Sequence, residues 1–214
     1  MAAMTRGRFI SFEGGEGAGK STQARLLAET LAQRGIAADL TREPGGTAGA
    51  EAIRALLLDP SGADWGARAE ALLFAAARSD HVERRIAPAL AAGRWVICDR
   101  FLDSSRAYQG GAGGLDDGDI MALHRVGSGA LLPDMTVLIA VSPQAAAARL
   151  ARRDDGANDR IGGRDADYHV RVSASFAALA AAEPARFVVV DGDGTTEVVH
   201  RAVLAALTPL LGAA

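Results

Sequence analysis

Gly14-Gly15-Glu16-Gly17-Ala18-Gly19-Lys20-Ser21 decides how this chain folds. The stretch fits G-x-x-x-x-G-K-[ST], a loop whose backbone N–H groups wrap phosphate oxygens while a lysine reaches past them. Lys20 is the only lysine in 214 residues, against 22 arginines. Arginine serves wherever a positive charge merely has to be positive. The wide planar guanidinium does not suit this loop, and a slim ammonium does. Ahead of the loop, Arg8-Phe9-Ile10-Ser11-Phe12 reads as a strand. Behind it, Ala24, Leu27, Ala28 and Leu31 fall on one helical face, and Gly35 ends the run. A helix N-terminus at that point offers unpaired N–H groups and partial positive charge to an anion.

Outward from the loop, short apolar runs alternate with helical patterns. Strands are expected at 36–40, 94–98, 135–141 and 187–191. Helices are expected at 47–58, at 67–92 with Pro88 kinking or ending it, at 116–126, from Ser142-Pro143 and at 166–182. A last helix, capped by Thr195, has Val199, Ala202, Val203 and Ala206 as its apolar face. Residues 110–114 read as a mobile connection and 152–163 as an exposed, movable loop. The alternation predicts an α/β domain with a mainly parallel sheet and helices on both faces. Residues 8–211 are expected to form a single domain with a lid at 152–164, preceded by a disordered tail at 1–7.

Composition narrows the function. The net charge of −3 gives no general attraction to nucleic acid or to an acidic membrane. Cys98, the one cysteine, reads as a small buried hydrophobe, and no paired zinc-ligand spacing exists. No apolar run is long enough to span a bilayer and the N-terminus lacks a secretory pattern, so a cytoplasmic protein is expected. The four histidines, His81, His124, His169 and His200, show no ligand spacing and are expected at surface or half-buried positions.

Three further segments carry chemistry. Val96-Ile97-Cys98-Asp99-Arg100 puts an acid and an arginine at a strand's carboxyl end, where ligands gather in such sheets. The acid suits Mg²⁺ or its waters and the arginine a phosphate oxygen. Thr41-Arg42-Glu43-Pro44-Gly45-Gly46-Thr47 is a rigid turn that a ligand can approach closely, with Glu51 and Arg54 on the next helix. Arg149, Arg152, Arg153, Arg160 and Arg164 surround the glycine-containing lid and could bring charge to a transferring phosphoryl group. Lys20 is expected at the β- and γ-phosphates, Ser21 on Mg²⁺ and Thr22 beside it. A GTPase would need a second lysine to read guanine, and an assembly ATPase would need partner-binding extensions. A small-molecule kinase needs a donor loop, an acceptor pocket and a lid, and all three are present.

With these residues in view, the chain resembles bacterial thymidylate kinases. The resemblance rests on Phe12-Glu13 through Thr22, on the 41–47 turn, and on Asp99-Arg100-Phe101 with Ser104-Ser105-Arg106-Ala107-Tyr108-Gln109-Gly110. It implies the P-loop nucleoside monophosphate kinase fold, with a five-stranded parallel sheet, and a homodimer. It also implies transfer of the γ-phosphoryl group of ATP to dTMP, giving dTDP and ADP, with Mg²⁺. Carried over by position, Gly14, Gly15, Glu16, Gly17, Ala18, Gly19, Lys20, Ser21, Thr22 and Arg149 would bind ATP, with Ser21 and Asp99 toward Mg²⁺. Phe74 would stack on thymine, Arg78 would donate to a base carbonyl, and Ser105 and Gln109 would line the base pocket. Tyr108 would crowd the sugar, Glu16 would sit near its 3′-hydroxyl, and Glu43 and Pro44 would complete the dTMP set. Arg54 and Arg100 would hold the acceptor phosphate, and Lys20, Arg100, Arg153 and Arg160 would act in catalysis. Gly162 follows Asp159-Arg160-Ile161 where relatives often carry an acid, so no contact is assigned to that position.

Overall fold

The computed structural model describes residues 6–151 and 160–212. Five parallel strands, β1 (Phe9–Glu13), β2 (Ala38–Arg42), β3 (Trp95–Asp99), β4 (Met135–Ala140) and β5 (Phe187–Asp191), form one sheet in the order β2-β3-β1-β4-β5. β1 is central, with Ile10 opposite Ile97 of β3 and Met135 of β4. The helices are α1 (Lys20–Gln33), α2 (Ala48–Leu58), α3 (Ala67–His81), α4 (Ala87–Ala91), α5 (Leu102–Ser105), α6 (Asp117–Ser128), α7 (Pro143–Ala151), α8 (Ala166–Ala182) and α9 (Thr196–Leu211). Thr47, Asp116, Asp165 and Thr195 each cap the helix that follows by accepting a backbone N–H.

Alternation along the strands assigns their two faces. Ile10, Phe12, Ile97, Val137 and Ile139 meet Leu27 and Leu31 of α1 and Val203 and Leu207 of α9. Phe9, Val96 and Cys98 turn the other way and meet Val82, Ile86, Phe101 and Ile120. Each such fully buried side chain contributes about 1.5–3 kcal/mol. Cys98 is a free, fully buried thiol, as expected.

The structure corrects three local expectations. The helix predicted across 67–92 does not end at Pro88. It widens into a π-helical turn at Val82–Ile86, and Pro88 lies in the first turn of α4 beyond it. A wider turn there absorbs the missing N–H and the ring's bulk. Residues 110–114 are not a mobile connection, because a second π-helical segment, Arg106–Ala112, continues α5 and buries Gly110. Its glycines answer to packing: a Cβ on Gly111 would lie 1.9 Å from Ser175 Oγ of α8. Residues 6 and 7 are not part of a disordered tail, since Gly7 N donates to Leu90 O at 2.9 Å and Arg6 pairs with Asp134 at 3.0 Å. Residues 1–5 lie outside the described residues.

One buried ionic cluster fastens α5 to the β4 and β5 side of the sheet. Asp103 is fully buried and accepts from Arg186 at 2.7 and 2.9 Å, from Arg106 at 3.3 Å and from Thr136 at 3.1 Å. Arg106 also meets Glu183 at 2.6 Å. Removing the shared carboxylate leaves two guanidinium groups without it. Asp103→Ala is expected to lower the unfolding free energy by about 3–5 kcal/mol in urea denaturation. A loss below about 1 kcal/mol, the scale of an exposed pair, would show that the cluster does not hold the fold.

Candidate active site

The loop between β1 and α1 is shaped by its glycines. Gly17 has a φ of 70°, and a Cβ there would lie 2.8 Å from the Ala146 carbonyl oxygen of α7. Only glycine meets both conditions without strain. Gly19 enters α1 with a φ of 88° and supplies no side-chain cap, so the first-turn N–H groups are left for an anion. Lys20 is buried, and its Nζ donates to the Gly15 carbonyl at 2.7 Å. Burial, followed by the nearby Arg100 charge, lowers its ammonium to about 8.

β3 lies beside β1 with Phe12 opposite Asp99, so both strand ends open at the same edge. Ser21 Oγ donates to Asp99 Oδ2, while Asp99 Oδ1 is buried without a hydrogen-bond partner. An orphaned carboxylate oxygen beside a hydroxyl fits the oxygen preference of a hard dication. Among the described residues, no group of three or more His, Cys, Asp or Glu is arranged to hold a metal.

Arg100 follows directly with a φ of 68°, a left-handed backbone that costs a non-glycine residue roughly 1–2 kcal/mol. The surrounding contacts hold it there. Its N–H donates to Phe12 O at 2.9 Å, and Nη1 donates to Gly14 O and Ser104 Oγ, each at 3.1 Å. Nη2 reaches Glu16 at 2.5 Å and the Tyr108 hydroxyl at 3.2 Å. The Arg100 charge is the main reason the Glu16 carboxyl falls to about 2. Beneath this turn, fully buried Glu13 accepts from Phe101 N at 2.8 Å, Ser104 N at 3.2 Å and Ser104 Oγ at 2.6 Å. Burial, with Asp103 next, pushes its carboxyl up to about 8.

α3 supplies the opposite wall. Glu70, Phe74 and Arg78 are four residues apart and share one helical face. Buried Arg78 donates to Glu43 at 2.8 Å, to Ser105 Oγ at 2.9 Å and to Phe101 O at 3.2 Å. Glu43 in turn meets His81 Nδ1 at 3.0 Å, and His81 Nε2 meets Thr41 Oγ1 at 2.7 Å. Arg54 donates to Pro44 O at 2.7 Å. Gln109 Nε2 donates to buried Glu70 at 2.9 Å.

These two walls enclose one cavity of about 440 Å³. Glu16, Gly17, Gly19, Lys20, Ser21, Thr22, Asp99 and Arg149 line one part of it. Glu43, Pro44, Arg54, Phe74, Arg78, Ser105, Tyr108 and Gln109 line the other, and Arg100 touches both. Gly14, Gly15 and Ala18 do not line the cavity, and Ala18 is packed into the core. Arg149 bonds the loop carbonyl of Ala18 at 3.2 Å and also reaches Gly192 O. Arg160 is not on the cavity wall: it donates to Ala63 O at 2.9 Å, Leu57 O at 3.3 Å and Glu70 at 3.0 Å. Arg152, Arg153 and Asp159 lie outside the described residues.

Sequence reading missed the supports beneath this site. Glu13, Glu70 and His81 hold the residues that face the cavity. A carboxylate ending an apolar strand, and another sharing the stripe of Phe74 and Arg78, are the signals that could have found the two acids. The expectation of surface or half-buried histidines fails for His81 and His124, which are 0% and 2% exposed. Each buried ring has a hydrogen-bond partner, Glu43 and Thr41 for His81 and Leu131 O for His124. His169 and His200 are half-buried.

Comparison with known proteins agrees with this geometry. The family model described as thymidylate kinase matches residues 12–203. A thymidylate kinase of Rhizorhabdus wittichii is 55% identical over 205 residues, covering 96% of this chain and 99% of its own. One of Nitrobacter winogradskyi is 51% identical over 203 residues, with 94% and 88% covered. The crystal structure of thymidylate kinase from Ehrlichia chaffeensis matches with a TM-score of 0.77 at 35% identity, covering 95% of this chain and 99% of that one. The similarity runs through both walls of the cavity and nearly the whole sheet, and the chain belongs to the thymidylate kinase family.

Proposed function

We propose that the γ-phosphoryl group of ATP passes in line to the phosphate of dTMP inside this cavity, without a phospho-enzyme. The chain is an ATP-dependent nucleoside monophosphate kinase that converts dTMP to dTDP, on the way to dTTP. The observation that carries the site reading is the continuity of the cavity, from the phosphate loop to the Phe74 and Arg78 wall. The open first-turn amides of α1 and Lys20 take the donor phosphates. Arg54 and Arg100 take the acceptor phosphate, and Phe74, Arg78, Ser105 and Gln109 take the base. Glu16, ionised at neutral pH, accepts from the sugar 3′-hydroxyl, and Tyr108 limits room beside the sugar. Ser21 and Asp99 would hold Mg²⁺, directly or through water. When bound, that ion would supply positive charge against the phosphate oxygens.

Such a transfer demands little covalent work from the protein, so positioning and charge dominate. The acceptor oxygen is already anionic near neutral pH, and no strong general base is needed. The lid, with Arg149, Arg153 and Arg160, supplies further positive charge and excludes water from the donor. For Arg160 this requires leaving its contact with Glu70. A coupled ADP-release assay over dTMP, dUMP, CMP and thymidine tests the reading, with dTMP expected to turn over fastest. In the same assay Arg78→Ala is expected to raise the KM for dTMP while that for ATP stays nearly unchanged. Equal losses for both ligands would remove Arg78 from base reading.

The Lys20 ammonium titrates at about 8 in the free protein, and only its charged form attracts phosphate. kcat/KM for ATP is therefore expected to hold below that pH and to fall as pH rises through it, because this ratio reports the free enzyme. A profile flat to pH 10 would contradict the lowered titration of Lys20.

We also infer a homodimer formed through α3 and α6. Leu72 of α3 and Val126 of α6 are 56% and 86% exposed. Sedimentation is expected to give a dimer for the native chain and a monomer for Leu72→Glu/Val126→Glu. A double variant that remains dimeric would exclude this face. A cytoplasmic location accords with the need for ATP and with the free Cys98 thiol.

A further inference from the structure

Glu70 is a buried carboxylate on which three side chains converge. Its Oε1 accepts from Gln109 Nε2 at 2.9 Å. Its Oε2 accepts from Arg160 at 3.0 Å and also from Arg164. The Glu70 side chain is 2% exposed, so water does not compete for these bonds. Arg164 is itself fixed from behind, with its guanidinium 4.5 Å from the Tyr168 ring centroid. Tyr168 donates to Tyr108 O at 2.9 Å, which ties this cluster to the segment that carries Gln109.

The chemistry of the cluster determines how Gln109 faces the cavity. Both guanidinium groups can only donate, so the Glu70 oxygens serve as acceptors in this cluster. Gln109 must therefore turn its NH₂ toward Glu70, and its carbonyl oxygen is the group left for the cavity it lines. A pyrimidine that donates from ring position 3, as thymine does, meets an acceptor there. A pyrimidine with a lone pair at that position, as cytosine has, meets a second lone pair. We propose that Glu70 is a specificity-positioning residue: by fixing the Gln109 amide, it makes the pocket select bases that carry N3–H, and it holds that setting through Arg164, with Arg160 sharing the carboxylate until it turns to the phosphoryl group. The proposal rests on reading the cavity as the dTMP site.

Glu70→Gln inverts the arrangement with almost no change in volume. The two arginines donate only, so they take the new side chain's carbonyl oxygen. Its NH₂ then points at Gln109, whose amide must flip and present NH₂ to the base. The measurement is the ratio of kcat/KM for dTMP to that for 5-methyl-dCMP. The two substrates share the methyl group, sugar and phosphate, so a general loss of stability or of catalysis cancels. The ratio is expected to fall at least ~10-fold in Glu70→Gln, the effect of one misplaced buried hydrogen bond. The double variant Glu70→Gln/Gln109→Glu restores an acceptor to the cavity and is expected to recover the preference for dTMP. Glu70→Asp keeps the charge for the arginines and withdraws the oxygen from Gln109. It serves as the second variant should Glu70→Gln fail to fold, and its ratio is expected to shift in the same direction by less. An unchanged ratio in the folded variants, with both substrates falling together, would overturn the proposal and leave Glu70 a structural residue. A native enzyme without preference for dTMP over 5-methyl-dCMP would instead sink the reading of the cavity itself.

Discussion

The parallel hydrogen bonding of β1 to β3, in the register that sets Phe12 opposite Asp99, is the constraint on which the site depends. It brings the glycine loop and the Asp99-Arg100 turn out at the same edge of the sheet, close enough for Ser21 to bond Asp99 and Arg100 to bond Gly14. A slip of one residue would exchange the two faces of a strand and turn these groups into opposite layers. The register is secured from both sides. Phe9 and Val96 are buried in one layer, and Ile10 and Ile97 in the other. The apolar core thus fixes the spacing of charged groups that it does not touch.

The described cations of the site all have acceptors already. Lys20 is on Gly15 O, Arg54 on Pro44 O, Arg78 on Glu43, and Arg100 on Glu16. These partners keep long charged side chains near the positions that the proposed reading gives to phosphate oxygens and a base carbonyl. Less ordering is then required when the ligands arrive, which is the physical content of preorganisation. The strain at Arg100 belongs to the same design. Its left-handed backbone aims one guanidinium at both walls, and Glu13 holds the following turn through Phe101 N and Ser104.

The fold was legible because its signals are local. The glycine loop, the five apolar runs and the helix-capping residues each announce themselves within a few positions. The cavity-facing residues were legible through motif and resemblance. What escaped was tertiary. Two π-helical turns depend on how Pro88 and α8 pack, and sequence periodicity does not carry that information. The glycines at 110–114 read as a hinge because glycine suits hinges, yet Gly111 is there because a neighbouring helix leaves no room. Glu70, Glu13 and His81 looked like ordinary polar residues. Their partners lie 39, 88 and 38 positions away for Gln109, Phe101 and Glu43, beyond the reach of any local pattern.

The scarcity of lysine also acquires a structural sense. Arg100 reaches four groups with two nitrogens, Arg78 reaches three, and Arg186 joins Asp103, Glu183 and Thr136. A planar fork can bridge several fixed acceptors at once, whereas an ammonium in its place would leave some of them buried and unsatisfied. The phosphate loop poses the opposite problem. Its cation is buried, donates to a carbonyl of its own loop at 2.7 Å, and in the proposed reading hands that bond over to a phosphate. A single compact charge on a flexible stem can make that exchange without dismantling a network. Arginine therefore suits the nodes that stay in place, and the lone lysine suits the contact that has to change hands.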